Sequence, residues 1–281
     1  LTGNGFNIAE IDNQIKKLRN DIGIKGMIRH GKLIRDPELG VRFEPQPKDV
    51  ARPIEDFPHG QGEGDDLTGC VSTIQKPYRD QNGNVPDNMY LITFDAYAKE
   101  EAEDQTSLWS FKLWKLDNRN DASFINLPVL WYSGRPKRYY DNHDIMFMAA
   151  ELYNAKIQGE VAGGGQSVIT YAKEKRVLFR LCNEPESASN KETQSKAAQN
   201  NFLMNMATDR KRLGITYLED WHVQPRSAND KGHIVLNVHH IYDIAWLLEM
   251  RKHDPTKGNY DRISDAIIFM YEMKEHYVRM T

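Results

Sequence analysis

Met89-Tyr90-Leu91-Ile92-Thr93-Phe94-Asp95-Ala96-Tyr97-Ala98 is the stretch whose reading decides the fold. It follows a turn-rich segment, Asp80 to Asn88, and runs apolar and β-prone into a single acid. A run of that length and composition reads as a strand buried on both faces. Asp95, followed by small Ala96 and Ala98, then falls at the mouth of a sheet. A lone carboxylate is costly to bury there unless it is paired or binds a metal. The plain alternative is an aspartate that merely starts a turn.

On either side, strand and helix signals alternate. Thr73-Ile74-Gln75 reads as a short strand, and the strict alternation of Leu108 to Lys115 as a half-buried antiparallel one. Leu127 to Tyr132 is a further strand closed by Gly134-Arg135-Pro136, and a helix starts at an Asp141/Asn142 cap. Lys156 to Val161 is a strand that runs into Gly163-Gly164-Gly165, followed by a helix over Gln166–Lys175 and a strand over Val177–Leu181. Glu184 to Asn200 is polar, as in a loop or lid. Helices are expected over Asn201–Leu213 (stopped by Gly214), Ile241–Lys252 and Asp261–Tyr277. Antiparallel strands first and strand–helix alternation afterwards argue for a mixed α/β sheet with helices on both faces.

Upstream, Ile8, Ile11, Ile15, Leu18 and Ile22 recur at helical spacing. From Met27 to Gly69 the chain is rich in Pro, Gly and charge, which reads as short strands and long loops or an extended connector. A soft boundary near residue 66 divides an unassigned 1–66 segment from a 67–281 domain. The 281 residues are 40% hydrophobic, enough for a sizeable core, and the net charge of −3 carries no global basic signature. Cys70 and Cys182 are too few for a disulfide framework or a zinc site, so a reducing compartment is the simpler reading. No run approaches a membrane span, and neither a secretory signal nor a phosphate-binding Gly-x-x-x-x-Gly-Lys-Ser/Thr loop is visible. The opening residue is Leu1 rather than Met, as in a fragment or a processed product.

Three further acids carry chemistry. Glu160 closes its strand just before the three glycines, where backbone, phosphate or a metal-bound water can approach closely. An edge-strand glutamate facing solvent would look the same. Asp261 and Asp265 lie four residues apart and so share a helix face, where like charges repel unless a cation lies between them. The bland reading makes Asp261 an N-cap and Asp265 part of a solvated first turn. Together, strand-end Asp95, strand-end Glu160 and the helical pair form a set able to hold two hard cations about 4 Å apart. Oxygen-only ligands favour Mg²⁺ or Mn²⁺, which would activate a water and stabilise the leaving oxygen of a phosphodiester.

The order Phe94-Asp95-Ala96, Lys156-Ile157-Gln158-Gly159-Glu160-Val161-Ala162-Gly163-Gly164 and Tyr260-Asp261-Arg262-Ile263-Ser264-Asp265-Ala266 resembles the C-terminal nuclease domain of the large terminase subunit of tailed bacteriophages. The resemblance covers roughly residues 70–281. It implies an RNase H-like fold and metal-dependent cutting of double-stranded concatemeric DNA during packaging. It also implies an upstream ATPase domain, portal and small-terminase partners, and residence in the host cell cytoplasm without secretion. Carried over, Asp95, Glu160 and Asp265 become the catalytic metal ligands, with Asp261 in support. Arg262 stands where a second acid is common, and Ala162 where Asn is frequent, so the third ligand stays open between Asp261 and Asp265.

Basic clusters at Arg135-Pro136-Lys137-Arg138, Lys173-Glu174-Lys175-Arg176 and Arg210-Lys211-Arg212 read as solvated surface one by one. Ringing the acids, Arg135, Lys137, Arg138, Lys173, Lys175 and Arg176 would neutralise DNA phosphates without reading base sequence. Tyr139 and Tyr140 either line that groove or pack inward. His222, His233, His239 and His240 lack the thiols and spacing of a zinc site, and His239 or His240 could assist near DNA. The alternatives are another nuclease of the same fold, resolvase or integrase-like, and a non-catalytic DNA-binding or motor-docking module.

Overall fold

A computed structural model describes residues 3–57, 66–98, 106–119, 121–184, 202–228, 232–257 and 260–280, with side chains of the last helix as far as Lys274. The chain opens with helix α1 (Ile8–Asn20), capped by the Asn7 side chain and burying Ile11, Ile15 and Leu18. Ile22 does not continue its apolar face. Asp21 turns the backbone and caps a second, short helix, α2 (Ile22–Met27), on which Ile22 is exposed.

The segment that reads as loop or connector contains a hairpin, β1 (Arg29–Asp36) and β2 (Gly40–Pro45). The Asp36 carboxylate organises its turn by accepting from the Glu38 and Leu39 N–H groups. Then come β3 (Val71–Thr73), β4 (Tyr90–Asp95), β5 (Trp109–Lys115), β6 (Leu127–Gly134), α3 (Asp141–Leu152), β7 (Lys156–Gly159) and α4 (Gly165–Glu174). Helix α5 (Thr208–His222), a small hairpin of β8 (Pro225–Ala228) and β9 (Ile234–Leu236), α6 (Ile244–Lys252) and α7 (Asp261–Met280) complete the order.

Seven strands form one sheet in the order β2-β1-β3-β6-β5-β4-β7. Strands β4, β5 and β6 pair antiparallel, and β7 joins β4 in parallel. This is the mixed α/β arrangement expected, consistent with an RNase H-like sheet. Residue 66 does not interrupt it, because β1 lies before that point and pairs with β3 beyond it.

Side chains alternate across the strands and sort the helices. Trp109 of β5 meets His143 of α3 on one face. On the other, Ser110 and Lys112 meet Asp265 of α7, and Trp114 stacks on Phe269 at 3.9 Å. Hence β5 is buried along its whole length rather than half-buried. Its polar residues look like a solvent face in sequence, but α7 covers them and supplies the acid that satisfies them.

Two further expectations change. Val177–Leu181 is no strand: a 3₁₀ turn over Leu178–Arg180 replaces it, and Leu181 alone bridges Ile157. The Arg180 guanidinium instead donates to the carbonyls of Ala150 and Ala155. The helix expected to stop at Gly214 starts at Thr208 and runs through it. A Cβ on Gly214 would lie 2.9 Å from the Ile267 Cβ, so this glycine lets α5 cross α7 closely. Past Glu184, the expected polar loop falls outside the described residues. No helix among those described is long and apolar enough to cross a membrane.

Candidate active site

Asp95 and Glu160 meet because their strands are parallel neighbours. The register pairs Phe94 with Gly159, so the two acids follow side by side, about 4.8 Å apart in backbone spacing. Alternation puts both on the α7 face, continuing from Thr93, which accepts from the Trp114 indole, and Gln158, which donates to Glu272. Glu160 is fixed on its outer side by Met204, whose N–H donates to the Gly159 carbonyl and whose carbonyl accepts from Val161. The glycines after it serve the chain's own backbone. A Cβ on Gly165 would fall 2.0 Å from the Glu160 carbonyl oxygen, and one on Gly164 2.6 Å from the Tyr97 carbonyl oxygen. They seat the two strand-end loops against one another.

The first turn of α7 brings Asp261 to the same end, where its carboxylate accepts the Leu108 N–H at 2.7 Å. Burial, then the charge of Glu160, pushes the Asp95 carboxyl up to about 7, with Lys211 and a Ser264 hydrogen bond opposing. Asp261 is held well above the carboxylate range by burial and then by the charge of Asp95 itself. Neither makes an ion pair among the described residues. Glu160 does, with Lys211 Nζ at 2.8 Å.

Asp265 adds its charge to that around Asp95, but its own oxygens are taken by the neighbouring strand. It is fully buried, 2.5 Å from Lys112 Nζ and 2.6 Å from Ser110 Oγ, and Lys112 also donates to the Arg262 carbonyl. Burial lifts its carboxyl to about 6 despite the lysine. Arg262, at the position where the resemblance expects an acid, is buried too. Its backbone N–H donates to Glu249, its guanidinium pairs with the same carboxylate at 3.6 Å, and it donates to Ser133 Oγ and the Ile54 carbonyl. Glu249, which sequence reading missed, is pushed by burial to about 7. The available signal was its place between Leu248 and Met250, directly after the apolar run Ile244 to Leu248.

Among the described residues, no three His, Cys, Asp or Glu side chains are gathered closely enough to hold a metal as they stand. Glu160 is turned to a lysine and Asp265 to another; Asp95 and Asp261 are left without an ion pair among the described residues, and the Asp95 charge reaches Asp261. Their donors are all carboxylate oxygens, the set that suits a hard divalent cation. In that chemical sense Asp95, Glu160 and Asp261 fit one, once Glu160 is released.

The cations divide by position. Arg135, Lys137 and Arg138 follow β6 at the acid end, since Gly134 pairs with Trp109 and Ser110 with Asp95. Arg135 lies 4.4 Å from the Tyr97 ring and donates to the Ser107 carbonyl, while Lys137 and Arg138 are exposed. Lys173, Lys175 and Arg176 sit at the far end of α4, about 15 Å along the helix from Gly165, and do not join the ring expected of them. Tyr139 packs inward, its hydroxyl donating to the Tyr97 carbonyl, whereas Tyr140 is exposed. The histidines scatter. His222 accepts from the Asn7 N–H, and His239 meets Glu10. His240, lowered to about 4 by burial, lines an 810 Å³ cleft beside Trp221, Met270 and Arg226.

Compared with protein-family models and with curated proteins, the chain matches no family model and no curated protein.

Proposed function

We propose that the chain is a metal-dependent endonuclease domain that hydrolyses phosphodiester bonds at the Asp95–Glu160–Asp261 end of its sheet. The observation that carries this is the gathering of acids at one end of the sheet: Asp95 and Glu160 leave neighbouring parallel strands side by side, and Asp261 reaches the same end from α7, with Asp95 and Asp261 in no ion pair among the described residues. Evolved burial of unpaired like charges is costly, and a cation is the ordinary remedy. Mg²⁺ or Mn²⁺ held there would supply the charge that activates water and stabilises the departing oxygen.

The remaining roles belong to the chain. Asp95 and Glu160 present oxygens from rigid strand ends, and the Ser264 hydroxyl orients Asp95. Asp265 positions α7 by gripping Lys112 and Ser110, so Asp261 rather than Asp265 is the third ligand in this reading. Arg135, Lys137 and Arg138 are placed to neutralise phosphates of a polyanion.

The finer reading is the nuclease of a viral packaging terminase acting on double-stranded DNA. It would work beside an upstream ATPase domain, the portal and the small terminase subunit in the host cytoplasm. It is supported by the motif order around Asp95, Glu160 and Asp261. The Lys211–Glu160 pair favours a competing one, a DNA-binding or docking module whose acids are structural. Supercoiled plasmid incubated with the chain and Mn²⁺ or Mg²⁺ separates them. Nicking that disappears in Asp95→Ala supports the nuclease; nicking unchanged in that variant, or none with either metal, rejects it.

A further inference from the structure

We propose that Lys211 is a resident counter-cation of the acid site, holding Glu160 in the metal-free chain and leaving when a divalent cation takes its place. The inference rests on the metal reading above and names how that site is regulated. Lys211 Nζ lies 2.8 Å from Glu160 Oε2. Glu160 is 16% exposed and the lysine 44%, so the ammonium can swing out into water while the carboxylate keeps to the site. Its location is otherwise unfavourable. Lys211 occupies the first turn of α5, where the helix dipole disfavours a positive charge. A nearby acid explains why it is tolerated there.

The charge balance of this end of the sheet points the same way. Lys112 is matched by Asp265 and Arg262 by Glu249, both in contacts buried too deeply to open. Asp95, Glu160 and Asp261 share what is left, and among the described residues the ion pair they have is the one from Lys211. One ammonium stands in part for the charge that a divalent cation would bring. Arrival of that ion repels Lys211 and frees Glu160 to turn inward beside Asp95. The released ammonium lies at the rim of the site, able to meet a phosphate oxygen.

The test is Mn²⁺ binding to the whole chain without nucleic acid, followed by calorimetry and by electron paramagnetic resonance of free Mn²⁺. The proteins are wild type, Lys211→Ala, Lys211→Arg and Glu160→Gln. Losing a half-exposed ion pair should tighten Mn²⁺ roughly fivefold in Lys211→Ala. Lys211→Arg should stay near wild type, and Glu160→Gln should bind more weakly. The melting temperature of Lys211→Ala should fall without metal and recover further than wild type on adding it. If Lys211→Ala binds no tighter while Glu160→Gln still loses affinity, the lysine's role is refuted and the metal site stands. If Mn²⁺ binding is absent or indifferent to Glu160, the metal reading falls and the lysine's role falls with it.

Discussion

Asp265 and Asp261 stand four residues apart on α7 and press against the same sheet, yet their surroundings differ. Asp265 meets Lys112 and Ser110 of β5, a cation and a hydroxyl that match its two oxygens. Asp261 meets a backbone N–H and the repelling charge of Asp95. The first is an interior cross-link, and the second belongs to the site proposed to take a divalent cation. What separates them is whether the facing strand brings a cation. A buried carboxylate whose charge is met internally holds the fold, and one left beside like charges is where the proposed cation would be needed.

That contrast can be broken most directly by truncation. Asp265→Ala leaves Lys112 buried and unpaired, with an expected loss of about 3–5 kcal/mol in urea unfolding. Replacing both partners, Lys112→Met with Asp265→Leu, should recover most of it. Gly214→Ala is expected to cost about 1–3 kcal/mol, because a methyl must push α5 off Ile267 and Tyr271. Its melting curve should shift more than that of a surface glycine. Asp95→Asn should go the other way from Asp265→Ala. Relief of an unmatched charge adds about 0.5–2 kcal/mol at pH 8 while abolishing metal-dependent nicking. A destabilised Asp95→Asn would erase the distinction between the two aspartates.

The pH dependence sharpens it further. Burial raises Asp95 and Glu249 to about 7 and Asp265 to about 6, so the folded chain retains protons that the unfolded chain has released. Their contribution to metal-free stability is complete below about pH 4 and is lost as pH rises through the folded values. Thermal melting from pH 5 to 8 should therefore slope downward, and less steeply in Asp95→Asn. Mn²⁺ binding should strengthen over the same range, since the ion displaces protons. The smallest effect belongs to Arg138→Ala. With the side chain 78% exposed, stability should stay within about 0.5 kcal/mol. DNA affinity should still weaken and its log–log salt slope drop by about 1.

Much of this was legible in the residues. Strand β4, the parallel partner that places Glu160, the glycine loop and the acid-bearing last helix all follow from local patterning, because alternation and apolar run length report burial directly. The first hairpin was blurred by its Pro, Gly and charged neighbours, and the helix through Gly214 was cut short by a residue that usually ends one. Gly214 is there for the crossing with α7, which sequence neighbours do not reveal. Lys112 reads as the solvent side of an alternating strand, since nothing nearby in sequence announces the helix that covers it.

From the chain alone came the mixed sheet, the acids at its strand ends and the kind of chemistry that carboxylates in this order can support, because those depend on periodicity and residue type. Only the folded arrangement decided which aspartate of α7 is spent on Lys112 and which has no ion pair among the described residues, and that Lys211 reaches Glu160. Those pairings join residues tens to more than a hundred positions apart, and at such separations electrostatics is set by distance in space, which no local pattern encodes.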